Sequence, residues 1–123
     1  MPTSLEVVIP VLDEESDLAP NTLKLHEFLA SDLGNYDWRI TIADNGSTDA
    51  TPEIAKRLSD EHERISHLRL EERGRGRAVS TAWLNSDADI LGLDKPGYVN
   101  LPGLFVHKYF YALGVVHRGV GHT

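Results

Sequence analysis

The feature that most constrains this chain is the alternation of short apolar runs with segments of helical periodicity. The run LEVVIPVL at residues 5–12 is continuous and β-branched, and the polar DEESD follows it, which is typical of a strand buried on both faces. Similar runs predict further strands at residues 38–43, 66–70 and 88–93. A chain with several such runs needs helices or other layers to cover them.

Helices are predicted between these strands. Apolar residues recur at helical spacing over residues 21–33, and Gly34 is a natural stop. Thr51 is the predicted N-cap of a second helix with Pro52 behind it, and residues 77–84 form a third. The order β-α-β-α-β-α-β indicates the α/β class, with a parallel sheet and right-handed crossovers. We expect the strand order 3-2-1-4 with helices on both faces.

Composition excludes several classes of protein. The 123 residues suit one domain, and a net charge of -7 argues against a nucleic-acid binder. The chain has no cysteine, which excludes disulfides and thiolate metal sites. The N-terminal MPTSLEVVIP does not have the pattern of a secretory signal, and no apolar run reaches the roughly 18 residues of a membrane span. We expect a cytoplasmic protein, with a peripheral membrane location as the alternative.

The composition changes abruptly near residue 94. All 19 acidic residues lie at or before Asp94, and none follows Lys95. Apolar residues within 101–116 have roughly helical spacing, which predicts a helix covering the sheet; the alternative is an exposed segment that self-associates. The histidines of this tail do not have a metal-ligand spacing; they are His107, His117 and His122.

Polar residues follow each predicted strand. Because ligands of open α/β sheets bind beyond the carboxyl ends of the strands, we expect Asp13, Asp44 and the loop at residues 71–76 to gather along one edge. Asp44 could accept a hydrogen bond from a nucleobase or form an Asx-turn with residues 45–46, and the spacing leaves both open.

Two loops near that edge carry further signals. Ser47 and Asp49 are predicted to cap the helix that follows them. The loop EERGRGRA at residues 71–78 combines glycines, which allow close approach of backbone to a ligand, with arginines suited to a diphosphate. A surface turn with solvated arginines is the alternative. The loop matches neither a dinucleotide-binding fingerprint nor a Walker loop.

Four segments together resemble the family-2 nucleotide-sugar glycosyltransferases, and most closely the members similar to dolichyl-phosphate mannose synthase. The segments are VVIPVLDEESDL, ITIADNGSTDATPEIA, RGRGRAVSTAW and SDADIL, within residues 5–93. The strand-end pattern Pro-Val-x-(Asn/Asp)-Glu-Glu and the pattern Asp-(Asn/Asp)-Gly-Ser-x-Asp are specific as a set. The resemblance implies a GT-A fold, whose nucleotide-binding half is a Rossmann-like α/β sheet.

The resemblance also implies which residues bind the nucleotide. They lie on three loops: Pro10, Leu12, Glu14, Asp44, Gly74, Arg75 and Gly76. Asp44 would accept a hydrogen bond from uracil or guanine, and Arg75 stands where the family has a basic residue. Asp89 would end the turn before the metal-binding strand.

A divalent cation, Mg²⁺ or Mn²⁺, is implied by the same resemblance, held by Asp-x-Asp at the end of the fourth strand. Here the chain reads ADILGLDKPGYV, so Asp94 is the candidate first ligand and Pro96 occupies the second position. Proline supplies no side-chain ligand, and we expect a metal site that lacks its second carboxylate. Asp87 and Asp89 precede the fourth strand and should lie at its other end, away from the nucleotide.

The implied parent reaction is inverting transfer of a hexose from a UDP- or GDP-sugar to a polyprenyl phosphate or similar acceptor. Residues 1–94 are read as a nucleotide-sugar-binding half-domain and residues 95–123 as an atypical tail, the pattern expected of a truncated or frame-shifted product. No residue is identified as the catalytic base, and the activity of this chain alone is not expected. The alternatives are a catalytically inactive nucleotide-binding remnant and an α/β interaction module.

Overall fold

The elements follow one another in the predicted alternation. The computed structural model describes residues 2–71, 77–93 and 116–117. The strands are β1 (Ser4–Val11), β2 (Asp37–Asp44), β3 (Ile65–Arg69), β4 (Ile90–Leu93) and β5 (Val116–His117). The helices are α1 (Leu18–Asp32), α2 (Thr51–Glu61) and α3 (Arg77–Asn85).

The strands form one sheet in the order β3-β2-β1-β4-β5. The first four are parallel to one another, so the predicted order 3-2-1-4 is confirmed. β5 extends the sheet antiparallel to β4. The sequence does not predict this strand, because Val116 ends the range in which a helix is expected. Residues 101–115 of that range lie outside the described residues.

Different helices cover the two faces of the sheet, as the apolar runs predict. On one face, Val7 of β1 belongs to a buried cluster with Leu29 of α1 and Leu58 of α2. On the other face, Val8 packs with Ala82 of α3 in a second cluster. Successive side chains of β1 therefore pack alternately into the two cores, one on each face of the sheet. Among the described helices, none combines the length and apolarity that a bilayer-spanning segment needs.

Pro10 lies in the central strand, where proline is unusual because it has no N–H for the ladder. The carbonyls of Thr3 and Val11 point toward β2, where they accept hydrogen bonds from the N–H groups of Asp37 and Asn45, respectively. Since alternate residues of a parallel strand face opposite neighbours, Pro10 faces the side of β4. The described pairing with β4 ends at Val8, so this proline removes no hydrogen bond of the described ladder.

Glu6 is a buried carboxylate in the middle of β1, only 4% exposed. Its Oε2 accepts a hydrogen bond from Thr41 Oγ1 at 2.6 Å, and its Oε1 accepts one from Ser86 Oγ at 2.6 Å. Arg39 Nε lies 3.3 Å from the same Oε1. These bonds join β1, β2 and the turn before β4, and they compensate a charge that would otherwise be costly to bury.

An aromatic and basic cluster joins α1 to the start of β2. The ring of His26 meets that of Trp38 edge-on at 4.9 Å between centroids and lies 5.1 Å from the ring of His62. Arg64 stacks over Trp38 at 4.9 Å. Burial lowers the pKa of His26 below its ordinary value, and the nearby His62 and Arg64 lower that pKa further.

This pKa shift predicts a loss of stability in mild acid. Below about pH 6.5 the unfolded chain binds a proton at His26 that the folded chain resists, so stability falls as pH drops through the folded pKa. Urea unfolding of wild type and His26→Gln at about pH 7.5 and pH 5.5 should show a smaller pH dependence in the variant. His67→Gln, at an exposed position of β3, is the control for replacing a histidine by glutamine. Equal pH dependence in wild type and His26→Gln would contradict the prediction.

The Glu6 network predicts a second stability effect. Ser86→Ala removes the donor to Glu6 Oε1 and also the acceptor of the Ala88 N–H. We expect a loss of roughly 1–3 kcal/mol in the free energy of unfolding, because a buried charged acceptor loses a partner. Ser31→Ala, at an exposed position of α1, should change stability by less than about 0.5 kcal/mol. Denaturant unfolding measures both, and equal values for the two variants would refute the assignment.

Candidate functional site

The carboxyl ends of β1 and β2 lie side by side, with Val11 paired to Asp44 and Pro10 to Ala43. The residues predicted to gather at this edge therefore follow two neighbouring strands. The sequence also predicts that the loop after β3 joins them. Residues 72–76 lie outside the described residues, so the predicted positions of Gly74, Arg75 and Gly76 stay predictions.

Asp44 is buried at this edge, with 2% of its surface exposed. Its Oδ1 accepts hydrogen bonds from Ser47 N at 2.9 Å and from Ser47 Oγ at 2.6 Å. Gly46 lies inside this turn with φ of 88°, a conformation that glycine adopts without strain. Asp44 thus closes a turn to the residue three positions on, which is close to the Asx-turn alternative. Its predicted contact with a base stays a prediction.

The second oxygen of Asp44 has a different environment. Oδ2 is buried and has no hydrogen-bond partner within the described residues. Arg69 Nε lies 3.6 Å from it, which is ion-pair distance but too long for a hydrogen bond. This oxygen retains an unused capacity to accept a hydrogen bond.

Asp13 ties the loop after β1 to the turn after β2. Its N–H donates to Ser47 Oγ at 2.8 Å, and its Oδ1 accepts from Thr48 N at 2.7 Å. Asp13 has φ of 52°, in the left-handed region that few residues other than glycine, asparagine and aspartate adopt. Ser47 is therefore engaged on both sides, by Asp44 and by Asp13, and the prediction that it caps α2 is wrong.

A second set of bonds joins the same loops further along the chain. Glu14 N donates to Thr51 Oγ1 at 2.8 Å, and Glu15 N donates to Asp49 Oδ2 at 3.2 Å. In the other direction, Ala50 N donates to Glu15 Oε1 at 2.8 Å. The loops after β1 and β2 therefore form one cross-linked rim, which we call the carboxyl rim and define as residues 13–15 and 44–51.

The start of α2 differs in detail from the prediction. Thr51 is the first helical residue rather than the N-cap, and Ala50 holds the cap position. Asp49 lies one residue before the cap position, and its Oδ1 accepts from Thr51 N at 2.8 Å, so it satisfies the first helical N–H without holding the N-cap position. The N-cap prediction for Thr51 is wrong because its hydroxyl is used by the neighbouring loop, at Glu14.

Two acids of the carboxyl rim have shifted pKa values. Burial raises the pKa of Glu14 above its ordinary value; a backbone hydrogen bond at Leu12 opposes this, and Asp17 and Asp49 add to it. Partial desolvation works to raise the pKa of Asp49, but hydrogen bonds from Thr51 and the Glu15 backbone outweigh it and lower that pKa. The carboxyl rim therefore holds one acid with a raised pKa, Glu14, near one with a lowered pKa, Asp49.

The other predicted nucleotide-binding residues of β1 flank the rim. Pro10 is half-buried, and Leu12 is 39% exposed. Leu12 therefore offers an apolar surface next to the carboxyl rim.

Two side chains at this edge are not singled out by the sequence. Asn45 Oδ1 accepts from Ala78 N at 3.0 Å and so ties the end of β2 to the first turn of α3. Arg69, the last residue of β3, donates from Nη2 to Ser47 O at 2.9 Å. Asn45 stands in the Asp-(Asn/Asp)-Gly-Ser-x-Asp pattern, but nothing in the sequence indicates its contact with α3, and Arg69 reads as an ordinary exposed strand residue.

The described residues do not form a metal site. Within residues 2–71, 77–93 and 116–117, no group of three or more histidine and acidic side chains is arranged to hold an ion. The rim carboxylates are engaged with backbone N–H groups, and Asp94 lies outside the described residues. Asp94 as a metal ligand stays a prediction.

Asp87 and Asp89 lie at the opposite edge of the sheet, as predicted. Asp89 Oδ2 accepts from Ser4 N at 3.0 Å, at the very start of β1. Asp87 Oδ1 accepts from Arg39 Nη2 at 2.9 Å. Neither carboxylate faces the carboxyl rim.

Comparison with known proteins identifies relatives of this arrangement. The family model described as glycosyl transferase family 2 matches residues 6–93. The succinoglycan biosynthesis protein ExoA of Rhizobium meliloti (strain 1021) is 39% identical over 89 residues, which cover 69% of this chain and 26% of ExoA. The glycosyltransferase AglD of Haloferax volcanii is 34% identical over 88 residues, covering 71% of this chain and 14% of AglD. The chain thus spans about a quarter or less of these relatives.

Solved structures share the fold. S. aureus TarS 1–349 superposes with a TM-score of 0.58 at 18% identity, over 76% of this chain and 27% of the TarS chain. The same TarS fragment has been solved with UDP. The mannosyltransferase PcManGT of Pyrobaculum calidifontis, in complex with GDP-Man and Mn²⁺, gives 0.57 at 24% identity, over 74% of this chain and 26% of its own. These likenesses establish a GT-A type fold, and the family match from residue 6 to residue 93 establishes that the chain belongs to glycosyl transferase family 2.

Proposed function

We propose that the carboxyl rim binds the nucleotide of a sugar donor. The observation that carries this proposal is the cross-linking of the loops after β1 and β2, which fixes polar groups at the edge where α/β sheets bind ligands. The complexes of PcManGT with GDP-Man and of TarS with UDP support a UDP- or GDP-sugar as the ligand class.

The parent chemistry that we propose is inverting transfer of a hexose to a polyprenyl phosphate or similar acceptor. Family membership supports glycosyl transfer, while the hexose and the acceptor rest on the resemblance alone. A base on the acceptor side would activate the attacking oxygen. We assign no residue of this chain to that role. The division into a binding half-domain at residues 1–94 and a tail at residues 95–123 is part of the same proposal.

Several residues in or beside the carboxyl rim have properties that suit a nucleotide. Leu12 offers exposed apolar surface for a base or ribose, with Pro10 and Glu14 beside it. One oxygen of Asp44 receives no hydrogen bond from the described residues and could accept one from a base N–H, although its burial means that a ligand must displace neighbouring groups to reach it. An indirect contribution of Asp44, through the turn that it closes, needs no such displacement. Gly74, Arg75 and Gly76 are proposed to lie beside the diphosphate.

Two other functions remain as alternatives. The first is nucleotide binding without sugar transfer. The second is an α/β interaction module, and one observation favours it: Asp13, Glu15, Asp44 and Asp49 all accept backbone N–H bonds, as purely structural acids would. Nucleotide binding that depends on the rim separates this module from the other two functions.

We expect Asp44→Asn to weaken binding of UDP or GDP. A hydrogen bond to a charged group contributes about 1.5–3 kcal/mol, so affinity should fall by about ten- to a hundredfold. Titration calorimetry with each nucleotide measures this, and circular dichroism checks that the variant folds. Asp87→Asn removes an exposed acid from the opposite edge of the sheet and should leave affinity unchanged. Equal affinity for wild type and Asp44→Asn would count against Asp44, and no binding of either nucleotide would favour the interaction module.

We expect Mn²⁺ to raise nucleotide affinity little, by less than about threefold, because Asp94 alone is an incomplete ligand set for a divalent cation. We expect the neighbouring Lys95 to compete for its carboxylate, and Pro96 has no side-chain ligand to offer. Calorimetry with Mn²⁺ and with a chelator tests this, and Asp94→Asn should respond like wild type. An increase above about tenfold that Asp94→Asn abolishes would contradict the expectation.

The same reasoning predicts no detectable sugar transfer by this chain. The assay supplies UDP-glucose or GDP-mannose and a polyprenyl phosphate, with and without Mn²⁺. Nucleotide binding without turnover would support the binding-only alternative. Metal-dependent turnover above a heat-killed control would overturn it and make Asp94 and His107 the first residues to mutate as ligands.

A further inference from the structure

Arg69 contacts three groups at the carboxyl ends of the strands, and no other described side chain joins the same three. They are the turn after β2, the buried carboxylate of Asp44 and the carboxylate of Glu71. The Nη2 of Arg69 donates to the carbonyl of Ser47 at 2.9 Å, and its Nε lies 3.6 Å from Asp44 Oδ2. Its Nη1 lies 3.1 Å and 3.2 Å from the two oxygens of Glu71. The next residue along the chain, Leu70, donates its N–H to the carbonyl of Asp44 at 2.9 Å. The end of β3 therefore holds the turn after β2 through both backbone and side chain.

The contact with Asp44 compensates a buried charge. Asp44 Oδ2 is buried, and within the described residues it lacks a hydrogen-bond partner, so Arg69 supplies the compensating charge on that side. Removing one partner of such a pair leaves the other buried and unpaired, which is strongly unfavourable. The turn would then relax to bring Asp44 into contact with water.

We propose that Arg69 is a positioning residue for the nucleotide site, which holds residues 44–48 in the conformation that the ligand meets. This inference rests on the proposed function, because it assigns Arg69 to the same rim. Arg69 acts through Asp44 and Ser47 rather than on the nucleotide. Its planar guanidinium hydrogen-bonds the Ser47 carbonyl and the Glu71 carboxylate and forms an ion pair with Asp44, a set of contacts that the single ammonium of lysine does not reproduce.

The chain provides a matched control at the opposite end of the same strand pair. Arg64 precedes β3 and donates to Asp37 Oδ1 at 3.1 Å and to the carbonyl of Trp38, at the start of β2. Both arginines therefore bind an acid and a carbonyl of the β2 segment. Arg64 lies at the amino end of the sheet and Arg69 at the carboxyl end. Comparing variants of the two therefore separates a general loss of stability, expected of both, from a loss of positioning at the nucleotide site, expected of Arg69 alone.

The first arm of the test measures nucleotide affinity by calorimetry. We expect Arg69→Gln to bind UDP or GDP at least about tenfold more weakly than wild type and Arg64→Gln to bind within about twofold of it. Thermal unfolding of both variants reports the structural cost separately. Where wild type binds, equal affinity of Arg69→Gln and wild type, or an equal loss in both variants, overturns the inference while the proposed function stands. Should Arg69→Gln not fold, Arg69→Lys replaces it, with an expected loss of at least about threefold.

The second arm needs no ligand. Amide hydrogen exchange of Ser47, whose N–H is bonded to Asp44, should become at least about tenfold faster in Arg69→Gln than in Arg64→Gln. Unchanged exchange overturns the positioning role. If wild type binds no nucleotide, the proposed function fails, and this exchange measurement alone decides whether Arg69 positions the turn.

Discussion

The carboxyl edge of this domain depends on how Asp44 is buried. A carboxylate that is 2% exposed at a strand end must be compensated locally, and Ser47 does this with two donors. The bond closes the turn after β2 and turns the Ser47 hydroxyl into an acceptor for Asp13 N. Further hydrogen bonds between residues 13–15 and residues 48–51 continue the same cross-linked rim. The Asp44 turn therefore fixes the Ser47 hydroxyl, which is one of the points where the loop after β1 attaches.

Acidic side chains serve different purposes at the two ends of the sheet. Glu6 within β1 and Asp89 at the amino end bond side chains and backbone of other strands and turns, which secures the arrangement of β1, β2 and β4. At the carboxyl edge, the acids of the carboxyl rim accept from backbone N–H groups of the neighbouring loop. The first set of acids holds the sheet together, and the second keeps the loops in fixed positions. Fixed loops suit a binding site, because little conformational entropy remains to be lost when a ligand arrives.

The fold could be predicted from the sequence because its signals are local. Each signal depends only on residues that are close in the sequence: the buried runs, the helical spacing and the Thr51-Pro52 pair. Chirality rules then limit the strand order. The site could be predicted only in part. Asp44 stands out as a strand-end acid, but its partner Arg69 comes from another strand, and nothing in the local pattern marks it. The same holds for the hydroxyl of Thr51, which turns from its helix to Glu14 because of how the loops meet.

Asp13 shows why the strand-end motif has Asn or Asp at this position. The residue needs a left-handed backbone, which glycine adopts most easily, and it needs a short side-chain acceptor for Thr48 N, which glycine lacks. Alanine meets neither requirement, and glutamate places its carboxylate one carbon too far out. Only aspartate and asparagine satisfy both demands. The left-handed backbone and the bond to Thr48 N therefore account for Asn or Asp at this point of the pattern Pro-Val-x-(Asn/Asp)-Glu-Glu.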